Sequence, residues 1–398
     1  MNAPAHSGWV NHGLAVTLAM AGAWWIDSRV EVYDAGLVRV PERKSIEYPL
    51  HGYIDNYQHE PYLAAALGKT LTDGSSIVLM GSSELTTADH PAKPVNFFNN
   101  ELHVPLLALG HAGNQSFSMH AQLIAAGADL ADARLAILVS PSWFVDKSGL
   151  TGTELAAFLE YQPSPSLYRI QQRIEAGDPV TAPVGSFMAE HEHELGSAQP
   201  IVQWITRDAS PMGRYLYGFS QPWNAAIIHH TRPQMLAETP LRAWSPGPRA
   251  ALSPAEWGPL FEKGVAEHLA QCTNNKVFVY DAYYSEHVNG RTRMLDVWPV
   301  EENREMHDFI ALLDFLQNVH AKPYFVLQPL NPYVYTNLAD VDPTIDRIRK
   351  ELDVRDFSYL DLWVNDTAEF RPGTLTDVMH LGPLGWYRID SAMATYFP

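Results

Sequence analysis

Residues 76–85 read SIVLMGSSEL, and this stretch decides the fold. Its first half, Ser76 to Met80, is a short apolar run without polar alternation, and Gly81 ends it abruptly. Runs of this kind suit strands that are buried on both faces, as in a parallel sheet covered by helices. The stretch therefore predicts a buried strand with two serines just beyond its carboxyl end.

Further runs of the same kind lie along the chain, each followed by glycine or polar residues. They are Val104 to Leu109, Leu135 to Val139, Tyr324 to Leu327 and Tyr359 to Val364. Apolar residues at helical spacing occupy two of the intervals, Ser116 to Ala131 and Glu305 to Val319. This alternation predicts an α/β fold, an open doubly wound parallel sheet of about five strands with helices on both faces.

A long interval, about residues 146–302, separates the third predicted strand from the fourth. It is rich in proline, aromatic and polar residues, and its aromatic content predicts an ordered insertion. Insertions at the carboxyl ends of strands are where α/β proteins build substrate sites. We therefore expect one domain over residues 27–398 that carries this insertion.

The composition of the chain limits its function. Of 398 residues, 46% are hydrophobic, 11% aromatic and 18% charged, which is typical of a folded globular protein. The formal net charge of -18 argues against nucleic-acid binding, because that binding draws on clustered Lys and Arg. The single cysteine, Cys272, excludes an intramolecular disulfide and a zinc cluster of thiolates.

The N-terminus carries no Asp, Glu, Lys or Arg before Asp27, and residues 13–26 form an apolar run. Counted from Gly8, the run approaches the ~20 residues that a membrane helix needs. It lacks a small-residue cleavage site followed by a polar start, which argues against a cleaved signal peptide. Two interpretations of residues 1–26 remain, a membrane anchor, which we favour, and a buried apolar helix.

Ser83 directly follows the first predicted strand, where a nucleophile would lie at the carboxyl edge of the sheet. A serine in such a turn is more often a helix cap. Late in the chain, however, Asp377 and His380 stand at a spacing that puts both side chains on one face of a turn. Such a histidine can take the proton of a serine hydroxyl while the carboxylate orients the imidazole. We therefore expect these three residues to form a nucleophilic triad.

An early serine and a late Asp-x-x-His on an open α/β sheet resemble the chain order of SGNH hydrolases. A conventional α/β-hydrolase is less well supported, because Leu85 stands where the G-x-S-x-G elbow has its second glycine. By analogy with the Gly-Asp-Ser of SGNH enzymes, Ser83 is the expected nucleophile and Ser82 is the alternative.

Acyl transfer also needs donors for the developing oxyanion, commonly backbone amides at the start of a helix. Ser83 can supply its own N–H. Gly110 or Gly113, after the second predicted strand, would supply another, since glycine lets the backbone approach a ligand closely. Ordinary turn chemistry is the alternative interpretation of these glycines. The asparagine that SGNH enzymes present after the third strand is replaced here by Ser140 and Pro141, and Asn114 stands elsewhere.

Six blocks of the sequence resemble the DltD family in order and content, over about residues 75 to 390. They are GSSEL (81–85), GHAGNQSF (110–117), SPSWF (140–144), NNKVFVYDAYY (274–284), QPLNPYVY (328–335) and DVMHLGPLGW (377–386). Carried over by motif, Ser83 would be the nucleophile, Asp377 the orienting acid and His380 the base. The resemblance implies an extracytoplasmic protein, anchored to the cytoplasmic membrane, that acts in the D-alanylation of teichoic acid or another cell-envelope polymer.

The resemblance also implies partners, namely a membrane-bound O-acyltransferase, a D-alanyl carrier protein and a cell-envelope glycan or polymer as acceptor. A serine triad needs no metal and no organic cofactor, so none is expected. Two alternatives to D-alanyl transfer remain open. One is an SGNH esterase or thioesterase with water as acceptor, and the other is a non-catalytic assembly factor that recruits the carrier protein or the acyltransferase.

Overall fold

The computed structural model describes residues 49–54, 63–145, 164–191, 252–291 and 293–397, together with eight isolated positions at 15, 17, 18, 21, 22, 158, 162 and 247. Most of the predicted anchor, residues 1–26, therefore lies outside the described residues. So do residues 146–157, 159–161, 163, 192–246, 248–251 and 292 of the predicted insertion. Within the described ranges, no helix is long and apolar enough to cross a membrane.

The described chain forms one sheet of six parallel strands. They are β1 (Gly52–Ile54), β2 (Ile77–Met80), β3 (Leu106–Leu109), β4 (Leu135–Val139), β5 (Tyr324–Leu327) and β6 (Ser358–Asp361). Their spatial order is β1-β3-β2-β4-β5-β6. Without the edge strand β1, this is the 2-1-3-4-5 order of flavodoxin-like doubly wound sheets. The predicted α/β class is confirmed, and each of the five predicted strands is present.

The edge strand β1 is the strand that the sequence does not predict. It is three residues long and begins at Gly52, which has a φ of 108°. It pairs in parallel with β3, Gly52 opposite Leu107 and Ile54 opposite Leu109. A short edge strand with a glycine lacks the continuous apolar run that reveals the central strands.

Longer helices and short helical turns connect the strands. The longer helices are α1 (Leu63–Asp73), α2 (Ser116–Ala126), α3 (Ser164–Glu175), α4 (Ala182–Glu190), α5 (Pro254–Leu269), α6 (Arg304–Asn318), α7 (Asp342–Asp353) and α8 (Pro383–Tyr396). The turns are Ser83–Thr86, Pro94–Asn96, Phe97–Leu102, Pro141–Phe144, Pro179–Thr181, Asp281–Tyr283, Tyr284–Val288, Val300–Glu302 and Leu338–Val341. α2 ends earlier than the sequence predicts because Gly127, at a φ of 61°, closes it with a left-handed cap.

Alternate residues of the central strands line two separate cores. Val78 and Met80 of β2 pack in a cluster with α1, α2, α6 and α7, whereas Ile77 and Leu79 pack in a second cluster with α5 and α8. Successive side chains of a strand point to opposite faces, so helices cover both faces of the sheet. Each fully buried leucine contributes roughly 1.5–3 kcal/mol, and the sheet is therefore a rigid base for the loops at its carboxyl edge.

Parts of the predicted insertion 146–302 are described, and they pack on both faces of the sheet. Leu167 of α3 and Phe187 of α4 join the cluster that contains α2. On the other face α5 crosses α8, where Gly264 lies against the backbone of Leu384.

Candidate active site

The end of β2 lies where the strand order of the sheet reverses. The chain passes from β2 to its neighbour β3 on one side and then crosses to β4 on the other side. Open α/β sheets bind ligands at such a switch point, outside the carboxyl ends of the strands. Ser83 opens the helical turn that follows β2, so the topology places it at this crevice.

Ser83, His380 and Asp377 form a continuous hydrogen-bonded chain. Oγ of Ser83 lies 3.0 Å from Nε2 of His380, and Nδ1 of His380 lies 2.7 Å from Oδ2 of Asp377. An ionised carboxylate can only accept, so Nδ1 carries the donated proton and Nε2 presents a lone pair to the serine hydroxyl. The fold thus brings together the three residues singled out in the sequence, in the order that links a nucleophile, a base and an orienting acid.

The turn that carries Asp377 and His380 is held by its own backbone and by a neighbouring loop. Oδ1 of Asp377 accepts the N–H groups of Met379 and His380, each at 2.8 Å. The backbone N–H of Asn331 donates to the carbonyl of Val378 at 3.0 Å. Both oxygens of the Asp377 carboxylate are therefore engaged, one on the imidazole and one on the turn.

The surroundings shift the pKa values of Asp377 and His380 in opposite directions. Burial would raise the pKa of Asp377, but hydrogen bonds from His380 and from two backbone N–H groups outweigh it and lower that pKa. Burial would lower the pKa of His380, but the hydrogen bond and charge of Asp377, together with the charge of Glu84, raise it. The His380 side chain is 26% exposed, so a ligand can reach the imidazole while the carboxylate stays sheltered.

Ser82, the alternative nucleophile, occupies a different environment. Its side chain is buried, and its Oγ donates to the carbonyl of His111 at 3.2 Å. The Ser82 hydroxyl therefore ties the turn to the loop after β3, and of the two adjacent serines it is Ser83 that meets His380.

Two buried charged residues that the sequence analysis missed hold the Ser83 turn. Oε1 of Glu84 accepts the backbone N–H of Ser82 at 2.7 Å. Nζ of Lys93 donates to the carbonyls of Leu85 and Thr87 at 2.7 and 2.9 Å. Burial raises the pKa of Glu84 and lowers the pKa of Lys93. A buried charge is costly unless it is hydrogen-bonded, so these bonds fix the turn that presents Ser83.

The predicted oxyanion donors differ in availability. The N–H of Ser83 has no protein acceptor in the described chain. The N–H of Gly110, however, donates to the carbonyl of Ile54 at 3.0 Å, so the expectation that Gly110 supplies a donor is corrected. A Cβ at Gly110, where φ is 130°, would lie 2.0 Å from the carbonyl oxygen of Gly81, which explains the glycine. Gly113, with a φ of 89°, remains the predicted second donor.

Asn114 links two elements beside the site. Its Nδ2 donates to the carbonyl of Gly81 at 2.9 Å, and its Oδ1 accepts from Nε2 of Gln122 in α2 at 2.8 Å. The residue is fully buried. Asn114 thus fixes the junction of β2 with the turn that follows it.

Comparison with known proteins relates the chain to one family. A family model for DltD, described as "DltD protein", matches residues 63–398. The protein named "Protein DltD" of Bacillus subtilis (strain 168) is 23% identical over 359 residues, which cover 82% of this chain and 83% of that protein. The region that the family model matches contains Ser83, Asp377 and His380.

Proposed function

Because the chain belongs to the DltD family, we propose that it is a serine acyltransferase of SGNH type that passes a D-alanyl group to a hydroxyl of a cell-envelope polymer. Membership of the family links the chain to D-alanylation of such polymers. The observation that most directly supports a catalytic role is the hydrogen-bonded chain from Oγ of Ser83 through His380 to Asp377.

In the first step, Oγ of Ser83 attacks the acyl carbonyl of the donor while Nε2 of His380 takes the hydroxyl proton. The Oγ–C bond forms and the carbonyl electron pair moves to oxygen, where the N–H of Ser83 donates to it. When this tetrahedral species collapses, the bond to the leaving group breaks and His380 gives the proton to that group. The product is a D-alanyl ester on Ser83.

In the second step, the acceptor hydroxyl attacks the ester carbonyl and His380 removes its proton. A new ester bond forms, the bond to Oγ breaks, and the proton returns from Nε2 to Ser83. Asp377 accepts the Nδ1 proton throughout and stabilises the imidazolium that forms in each half of the cycle.

The proposal includes a location and a set of partners. Residues 27–398, with the insertion at about 146–302, would act as one catalytic domain outside the cytoplasm, held at the membrane by residues 1–26. A membrane-bound O-acyltransferase and a D-alanyl carrier protein would deliver the acyl group. The apolar N-terminal run and the family resemblance support this arrangement.

Hydrolysis is a second candidate function, because Ser83 and His380 are partly exposed and water can reach an ester on Ser83. Competition between water and glycerol as acceptors distinguishes hydrolysis from acyl transfer. The protein is incubated with a D-alanyl thioester and increasing glycerol, and both free D-alanine and D-alanyl glycerol are measured. Transfer predicts that glycerol captures the acyl group at the expense of free D-alanine, and that Ser83→Ala forms neither product.

Two other results would redirect the proposal. Release of free D-alanine alone at every glycerol concentration would identify an esterase or thioesterase. Equal donor consumption by the wild-type protein and Ser83→Ala would instead remove the serine mechanism and favour the assembly factor.

A further inference from the structure

A cavity of about 510 Å³ lies beside the edge strand β6, between α5 and α8. Tyr324, which begins β5, and Ser358, which begins β6, are among its lining residues. The cavity therefore lies against one face of the sheet at β5 and β6, whereas Ser83 follows the carboxyl end of β2. It has no lining residue in common with the triad.

Arg388 lines this cavity and has no hydrogen-bond or ion-pair partner among the described residues. Asp361 is near enough to act on it electrostatically, but Oδ2 of Asp361 is taken by Nε of Arg349 at 2.7 Å. The other charged neighbour, Arg371, is a cation and pairs with Glu262 at 3.3 Å. Among the described residues, Arg388 therefore has one repelling cation nearby and one attracting carboxylate, that of Asp361, which already bonds to Arg349.

A half-buried guanidinium without a hydrogen-bond partner lowers the stability of the fold. Arg388 is half-buried, and burial together with the charge of Arg371 lowers its pKa. A charge that loses hydration without gaining a partner destabilises the fold. An anion from outside would recover the lost interaction.

The rest of the lining indicates what kind of anion fits. The hydroxyl-bearing residues Ser358, Ser391 and Thr395 border the cavity. The rings of Tyr324 and Tyr396 lie 4.7 Å apart and form an apolar wall. A guanidinium holds carboxylates and phosphates through paired N–H donors, while the ring wall suits an apolar substituent.

We propose that the cavity beside β6 binds a small organic anion, a carboxylate or a phosphate ester with a short apolar group, on the guanidinium of Arg388. This site is independent of the proposed acyl transfer, because none of the residues that line the cavity belongs to the triad. On this proposal Arg388 serves anion binding, and it lowers the stability of the protein when no ligand is bound.

Thermal unfolding and calorimetric titration test the site with two probes, hexanoate and phenyl phosphate, and with inorganic phosphate as the probe for charge alone. We expect at least one organic probe to raise the unfolding temperature of the full chain in a concentration-dependent way. The preferred probe distinguishes a carboxylate site from a phosphate-ester site, and inorganic phosphate should bind more weakly than phenyl phosphate.

Arg388→Met, which keeps most of the side-chain volume, should weaken binding of the preferred probe about tenfold or more. Without ligand it should unfold at the same temperature as the wild-type protein or a higher one, which shows that it is folded. Lys276→Met, which removes an exposed cation that does not line the cavity, is the matched control and should bind the probe like the wild type. If neither organic probe binds the wild type, or Arg388→Met binds them equally well, the proposal is wrong.

Discussion

His380 carries the proton transfers of the proposed reaction, because its Nε2 must be unprotonated to accept the proton of Ser83. Asp377 and Glu84 raise the pKa of His380 above its ordinary 6.5. The acyl-transfer rate should therefore fall as the pH drops through this raised pKa.

The raised pKa of His380 also makes the stability of the fold depend on pH, but in the opposite direction. The charged pair of His380 and Asp377 stabilises the fold fully below the unfolded pKa of histidine, and this contribution is lost as pH rises through the folded pKa.

Asp377→Asn should move the acidic limb of the pH–rate profile to lower pH. The substitution removes the charge that holds the His380 pKa up, and the maximal rate should fall by about 10⁴-fold because the imidazole loses its orienting acceptor. The measurement is the rate of acyl transfer as a function of pH. Asp340→Asn, an exposed acid in another loop, should leave the profile unchanged. An Asp377→Asn profile with the wild-type midpoint would contradict this role.

At the residue scale, the sequence indicates Ser83, Asp377 and His380 more clearly than the residues that hold them in place. Asp377 and His380 are three positions apart, so a local turn is enough to pair them, and Ser83 lies three residues beyond a recognisable buried strand. The sequence does not reveal Glu84 and Lys93, because their role is to hydrogen-bond backbone groups of the Ser83 turn, and these groups come within reach only in the folded chain. The expectation for Gly110 failed for a related reason, since its N–H is occupied by a strand, β1, that the sequence does not reveal.

At the scale of elements, the crossing of α5 and α8 positions the start of α8, which directly follows the His380 turn. Gly264 allows this crossing, because a Cβ there would lie 2.9 Å from the backbone nitrogen of Leu384. Backbone cannot move aside as the end of a side chain can. Gly264→Ala should therefore lower the free energy of unfolding by about 1–3 kcal/mol, despite the higher helix propensity of alanine. Chemical denaturation measures the change.

Gly258 in the same helix is the matched control, since a Cβ there would meet nothing within 4 Å. Alanine at this position gains up to about 1 kcal/mol of helix propensity, which the restriction imposed by Pro259 partly offsets. We expect Gly258→Ala to be close to neutral. Equal unfolding free energies for the two variants would show that the crossing is not as close as described.

The strands were predictable to different degrees for physical reasons. β2 to β5 are buried on both faces, so each must be a continuous apolar run that stands out in the sequence. β1 is an edge strand that pairs with one neighbour only, and it is three residues long. Strand order could not be read from the sequence either, because it depends on the crossovers between strands rather than on the strands themselves.

At the scale of the whole molecule, the N-terminal apolar run is the segment that would meet the membrane. Leu18, one of the described residues of that run, is 63% exposed, and an exposed large apolar side chain suits insertion into a bilayer. The full-length protein should therefore stay with membranes after alkaline carbonate extraction. Leu18→Arg should weaken this association, since arginine near the centre of a membrane helix costs about 2.5–3.5 kcal/mol.

Leu18→Ile keeps the run apolar and should fractionate like the wild type, which makes it the control for the substitution itself. Recovery of the wild-type protein wholly in the soluble fraction would remove both the anchor and the support it gives to an envelope substrate.

The most direct measurement is the mass of the intact protein after brief exposure to a D-alanyl thioester, followed by peptide mapping. The proposed mechanism predicts one added D-alanyl group, on the peptide that contains Ser83. Ser82→Ala should still be labelled, because the Ser82 hydroxyl is committed to the carbonyl of His111, whereas Ser83→Ala should carry no label. His380→Ala should acylate at least about 10³-fold more slowly. A wild-type protein that never acquires the group, or a Ser83→Ala protein that acquires it as fast as the wild type, would contradict a catalytic Ser83.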